Sequence, residues 1–379
     1  MRALWGLDPA VTYLNHGSFG ATPRSVLAEQ ARLRDELERE PIVFLGRGWP
    51  ARIAAVRAQV AGFLGADPCG LAFVQNATTG VQHAIDAIDW HDGDEIVFCD
   101  HGYNAVKQQL ARLRDRFGVR PVYVTVPFPL PGSAESAKAC IVDGYAAAIG
   151  PRTRLVVVDH ISSPTALIFP VEPIVAECRR RGVPVCVDGA HAPGMLPLDL
   201  SALGADFYTG NLHKWMCAAK GTAILQVGEA WRDRAHAMIT SHFYNQGFTA
   251  EFDWVGTFDP TAWLSLPGVL AHGEMLGWEA LRRQNHALVQ EGRERVAHAL
   301  GVELPHADHP ELYGSMASIP FPFATQMEGW ELTARLYVEH RIEVPFTGYD
   351  GRCLVRISGQ AYNAPADYER LATVLRGFR

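Results

Sequence analysis

Val185-Cys186-Val187-Asp188-Gly189-Ala190-His191-Ala192-Pro193-Gly194 reads as a buried strand that ends in a carboxylate. Its apolar residues run without alternation, as expected of a strand covered on both faces of a sheet. Asp188 sits at the C-terminal tip, Gly189 opens a loop, and His191 follows. Taken alone, Asp188 reads equally as a metal ligand, a cap or an ordinary loop carboxylate. About one strand–helix–strand step later comes Phe207-Tyr208-Thr209-Gly210-Asn211-Leu212-His213-Lys214-Trp215. A lysine in such apolar, aromatic company is unusual. Desolvation there lowers the amine pKa and favours the neutral nucleophile. A lone lysine would be read as a surface residue; the carboxylate upstream reverses that reading.

Similar apolar runs lie at 71–74, 95–99, 122–126, 155–159, 206–209 and 223–227, with the quoted one covering 183–187. Helical patterns at 26–40 and 51–63 precede the first run, and others at 80–88, 105–117, 142–149 and 174–181 lie between the runs. This alternation predicts an α/β fold with a mostly parallel seven-stranded sheet covered by helices. After about residue 265 the pattern changes to helices at 268–284, 285–300, 331–340 and 366–376, with strand candidates at 315–320 and 354–358. The expected division is therefore a large domain with its N-terminal segment, 1–265, and a smaller α+β domain, 266–379.

Two further stretches lie at strand ends, where ligands bind in open α/β sheets. Phe73-Val74-Gln75-Asn76-Ala77-Thr78-Thr79-Gly80-Val81 opens a helix with small and hydroxyl residues. That suits a phosphate at a helix N-terminus, or simple N-capping by Thr78 or Thr79. Cys99-Asp100-His101-Gly102-Tyr103-Asn104-Ala105 offers Tyr103 for stacking on a planar ring, or loop packing. A carboxylate for a ring nitrogen and a lysine for an aldehyde carbon form the arrangement a pyridoxal ring needs.

Composition closes off other classes. The chain has 379 residues, 48% of them hydrophobic, enough for a large core. A net charge of −7 argues against nucleic-acid binding, and no apolar run is long enough for a membrane span. The first residues, with Asp8 and Pro9 among them, do not read as a secretory signal. The seven cysteines are scattered without a CxxC pair, which suits a reduced, cytoplasmic setting and no metal site.

Taken together, these stretches resemble the class V aminotransferase family of the PLP-dependent transferase (aspartate aminotransferase) fold, from Tyr13 to about residue 375. The opening Tyr13-Leu14-Asn15-His16-Gly17-Ser18-Phe19-Gly20, with Trp215 after the lysine, is most similar to the isopenicillin N epimerase branch. The resemblance implies pyridoxal 5′-phosphate (PLP) held as a Schiff base on Lys214, with Asp188 on the ring nitrogen and His191 near the ring oxygen or the imine. It implies Ala77, Thr78, Thr79 and His213 at the phosphate and Tyr103 over the ring. Ser163 stands where the desulfurases carry an asparagine on the ring oxygen, which is a departure. The family implies a homodimer with shared sites, in which Thr257 reaches the phosphate across the interface. Arg356 matches the arginine that clamps a substrate α-carboxylate. Arg47 is a weaker candidate for a second carboxylate, with a surface role the alternative, and Asn15 belongs with the substrate-binding residues.

The expected substrate is a small-molecule amino acid of unspecified side chain, whose Cα proton Lys214 removes. Reprotonation from the opposite face gives epimerisation, loss of a Cβ sulfur gives a C–S lyase, and reprotonation on the cofactor gives transamination. A persulfide-forming desulfurase would need a cysteine in the loop at 345–352, and none is there. Epimerisation needs a second acid, for which Tyr103, His101 and Tyr349 are candidates. Epimerase-like chemistry is the first expectation and a C–S lyase the second, with an aminotransferase or a non-catalytic relative beyond them.

Overall fold

The computed structural model describes residues 1–306 and 309–378. A short strand β1 (Thr12–Tyr13) opens the chain. The central sheet follows with β2 (Leu71–Val74), β3 (Glu95–Cys99), β4 (Arg120–Val124), β5 (Thr153–Asp159), β6 (Val185–Asp188), β7 (Phe207–Asn211) and β8 (Ala223–Val227). Their spatial order is β2-β8-β7-β6-β5-β3-β4. Neighbours from β7 to β4 pair in parallel, whereas β8 runs antiparallel to both β7 and β2. The fold is α/β with a mostly parallel seven-stranded sheet, as expected.

The missing alternation in the strands has a direct cause. Val156 and Val158 of β5 face one apolar cluster, with Ile53, Val60, Ile141 and Ile174 from helices on that side. Leu155 and Val157 face the other, with Val81, Ala84, Val106 and Leu110. Both faces are dry, and each such side chain contributes about 1.5–3 kcal/mol on burial. Because β2, β3, β5, β6 and β7 run in one direction, their C-terminal tips share one edge of the sheet.

The C-terminal part carries an antiparallel sheet in the order β11-β12-β9, from β9 (Met316–Thr325), β11 (Phe346–Tyr349) and β12 (Arg352–Ser358). It packs on the helices Trp278–Leu300 and Pro365–Leu375. Strand β10 (Ile342–Glu343) pairs with β1, and Leu14 lies in the same apolar cluster as this sheet. The N-terminal strap is thus bound to the C-terminal sheet, while the helix Leu266–Leu276 packs Leu266 and Val269 into the cluster of the large sheet.

Four sequence expectations need correction. The helix expected at 142–149 begins at Ala134, where Ser133 caps it by accepting from Ser136 N–H. The break expected at 284/285 falls at Gly277, whose φ of +74° ends one helix and starts the next. Residues 346–349, read as loop, form β11. The cap of the helix Ala77–Asp86 is Asn76, with Thr78 and Thr79 inside its first turn.

Candidate active site

Lys214 lies just beyond β7, on a turn that two outside residues brace. His16 donates Nε2–H to the Lys214 carbonyl at 2.9 Å and accepts from Tyr362 Oη–H at 2.7 Å. Gly20, at φ +71°, lies so close that a Cβ there would meet the His213 carbonyl at 2.1 Å. The lysine is half-buried. Burial, joined by the Arg356 guanidinium, lowers its amine to about 7, while Asp188 pulls the other way. The amine is therefore substantially neutral near pH 7.

Beside it, His191 is buried, and Trp215 Nε1–H donates to its Nδ1 at 3.3 Å. An indole N–H can only donate, so Nδ1 carries the lone pair. Burial first, and then Lys214 and Arg356, hold the ring well below its usual range, so it is neutral. Its single proton then sits on Nε2, 3.1 Å from Lys214 Nζ. His191 thus presents a donor to the lysine lone pair.

Asp188 ends β6 with 3% of its surface exposed. Its Oδ1 accepts from Ala190 N–H at 3.0 Å. Burial raises its carboxyl, against the Ala190 hydrogen bond and the Lys214 charge. The N-terminus of the helix Ala77–Asp86 borders the same cavity. Asn76 Oδ1 accepts from Thr79 N–H at 2.9 Å, and Asn211 Oδ1 accepts from Ala77 N–H at 2.8 Å. Ala77 N–H is thus already engaged. His213 donates Nδ1–H to the Thr222 carbonyl at 3.0 Å, and burial followed by Lys214 lowers it to about 4. Its Nε2 donates to an anion only once that anion's charge protonates the ring.

Arg356, in β12, is buried, and burial brings it down to about 10. Its Nη1 donates to Ser163 O at 2.6 Å and Ser163 Oγ at 3.1 Å, and its Nη2 to Ser18 Oγ at 3.2 Å. All of these acceptors are uncharged. Among the described residues no carboxylate forms an ion pair with it, so an anion entering here meets an uncompensated, forked cation. Ser163 is engaged with this guanidinium. Asn15 supports it from behind, accepting from Ser18 Oγ–H at 2.5 Å while donating to Glu343 at 2.9 Å.

A cavity of about 1050 Å³ joins these groups, lined among others by Thr78, Tyr103, Asp188, His191, Lys214 and Thr257. Ala77, Thr79, Ser163 and His213 border it too. Thr257 lines the cavity of its own chain. Asn15, Arg356 and Arg47 are not on its wall; Arg356 reaches it through Ser18 and Ser163, and Arg47 is exposed on the turn before the helix Trp49–Leu64. Tyr103 is 46% exposed at the mouth. His101 and Tyr349 lie elsewhere: His101 is fully buried, bonded to Thr165 and Val126, and Tyr349 Oη sits 2.6 Å from Val126 O. Among the described residues no cysteine lines the cavity. Sequence reading had no role for Asn211, Ser18 or the Trp215–His191 bond, because each depends on side-chain direction after a turn.

The residues fit a flat cofactor with a ring nitrogen, an aldehyde and a phosphate. A buried carboxylate stands by a near-neutral amine, and a helix N-terminus borders the same space. Fold and site together define a PLP-dependent enzyme of the aspartate aminotransferase fold. The chain belongs to the aminotransferase class-V family, whose model matches residues 45–367. It is 34% identical to the isopenicillin N epimerase of Amycolatopsis lactamdurans, covering 98% of this chain and 96% of that one. It is 33% identical to a putative L-cysteine desulfhydrase of Oryza sativa subsp. japonica, covering 96% and 82%. The cystine C–S lyase C-DES, solved with cysteine persulfide, shares the fold at a TM-score of 0.80 and 24% identity, over 97% of this chain and 98% of that one.

Proposed function

We propose that this enzyme is an amino-acid epimerase that exchanges the proton at Cα. The observation that carries the reading is that, of three candidate second acids, only Tyr103 borders the cavity that contains Lys214. When bound, PLP supplies an electron sink for negative charge developing at Cα. Arg356 binds the α-carboxylate through its fork, with Ser18 and Ser163 holding the guanidinium flat. The neutral Lys214 amine takes the Cα proton once its single lone pair turns away from the Nε2–H of His191, which holds the amine beside the site beforehand. Tyr103 returns a proton from the opposite side.

A second reading, C–S elimination from a cysteine-type substrate, has its own support. It needs only one base, and the relatives include desulfhydrases. The absence of a cysteine from the cavity wall leaves direct elimination as its route. Incubation with candidate amino acids in deuterated water separates the two. Deuterium at Cα with loss of optical purity is expected; pyruvate, ammonia and released thiol would favour the lyase, and a keto acid would favour transamination.

The active form is proposed as a cytoplasmic homodimer, with 1–265 and 266–379 as its working units. Supporting a dimer, Phe19 is 69% and Ile239 60% exposed at the cavity, an apolar rim suited to a second copy. Sedimentation of the holoenzyme as a monomer would remove that element.

A further inference from the structure

Asp159 has no place in the chemistry above, yet it stands inside the same cavity wall. It ends β5 as Asp188 ends β6, and the two are register partners on adjacent parallel strands. Such partners point to the same face of the sheet, with backbones about 4.8 Å apart. Each residue is 3% exposed. Among the described residues, Oδ2 of Asp159 is a buried oxygen without a hydrogen-bond partner. Two ionised carboxylates so placed would repel strongly in a dry site.

Among the described ionisable groups near Asp159, only Lys107 carries a charge that offsets that of the carboxyl. Cys99 and Tyr145 lie near it on two neighbouring elements and Cys186 on a third; burial raises all three, so they are neutral. Lys107 is the nearby cation, and its ammonium is pinned by donation to the Asp100 carbonyl at 2.6 Å. A single cofactor ring nitrogen can neutralise one carboxylate, not two.

We propose that Asp159 is a positioning residue that keeps one proton and donates it to Asp188, so the pair presents a single negative charge to the ring nitrogen. This rests on the proposed seating of PLP, with its ring nitrogen at Asp188. Burial raises both carboxyls, and the proton is placed on Asp159 because its Oδ2 has no other partner, whereas Asp188 Oδ1 already accepts from Ala190 N–H. The donor keeps Asp188 ionised where burial alone would protonate it. An ionised Asp188 keeps the ring nitrogen protonated and the electron sink strong. Without the donor, Asp188 takes the proton itself and the ring is left closer to neutral.

The test uses the holoenzyme and two variants. Asp159→Asn retains a donor of the same shape. Its PLP dissociation constant and the pH midpoint of the cofactor's visible band are expected to match wild type. Asp159→Leu removes the donor; PLP binding should weaken by about tenfold and the midpoint rise by about one unit. An infrared difference spectrum, wild type minus Asp159→Asn at neutral pH, should contain a carboxylic-acid C=O stretch, and this arm needs no turnover. A difference spectrum with no such band would overturn the proposal. So would an Asn variant whose midpoint moves as far as loss of a full charge requires, or a folded Leu variant that behaves as wild type. If wild-type protein takes up no PLP, the functional reading fails instead, and the infrared arm still decides where the proton rests.

Discussion

At the residue scale the site turns on the protonation of two neighbours. Lys214 acts as a base only when neutral, and burial lowers it to about 7. Cα–deuterium exchange should therefore rise with pH and level off above about 7, and an exchange rate that falls across this range would exclude Lys214 as the base. Lys214→Ala should lower exchange by at least about a hundredfold and abolish the visible band of bound PLP, with the fold intact by circular dichroism. Trp215→Phe keeps the packing but removes the donor to His191 Nδ1. The imidazole is then free to place its proton on either nitrogen, so exchange should fall by about tenfold. Nitrogen NMR of the His191 ring should show a mixed tautomer, and a single Nε2–H form in that variant would contradict the argument. Arg356→Lys loses the fork but keeps the charge; KM should rise by about tenfold or more with a smaller change in kcat. Asp188 and Lys214 were legible in the sequence because each follows an apolar strand at a spacing that a cofactor ring explains. His191 was legible, but its tautomer was not, since that rests on a contact across a loop.

At the element scale, loops and strand tips on one edge of the sheet set the site. Gly20 closes the strap His16–Phe19 against the Lys214 turn, and any side chain there collides with the His213 carbonyl. Its φ of +71° adds strain for any residue with a Cβ. Gly20→Ala should push the lysine turn outward, cost about 2 kcal/mol of stability and reduce PLP occupancy, read by the visible band per protein; normal occupancy at normal stability would show the turn to be held elsewhere. The seven strands of the large sheet were readable because their two-sided burial leaves continuous apolar runs. The errors lay where a local signal competed with tertiary packing. The start of the helix Ala134–Ala148 contains Glu135, Ser136 and Lys138, which hide its early turns. Strand β11 has a Thr-Gly centre that reads as a turn, and its pairing with β12 makes it a strand.

Across the whole molecule, the interior holds imidazoles in the neutral form. Burial brings His16 to about 3, and His83, His160 and His213 each to about 4. In the unfolded chain they titrate near 6.5. Between those values the unfolded state binds more protons than the folded one, so stability falls as pH falls from about 6.5 towards 4. At pH 5 each such histidine removes about 2 kcal/mol relative to pH 8. Asp159 and Asp188 oppose this, because burial raises them and acid then favours the folded state. Asp86 and Asp253 are raised too, and His101, His191, His272 and His306 are lowered, so among the described residues four carboxyls stand against eight imidazoles and the net effect is a loss. The surface pairs, such as Arg114 with Asp115, are too exposed to alter the balance. Urea unfolding of the PLP-free protein should accordingly show a midpoint that drops from pH 8 to pH 5, and substituting His160 by a neutral residue that keeps its packing should lessen the drop. A midpoint that holds or rises at pH 5 would mean that these histidines reach solvent and titrate in the folded protein, which their burial opposes.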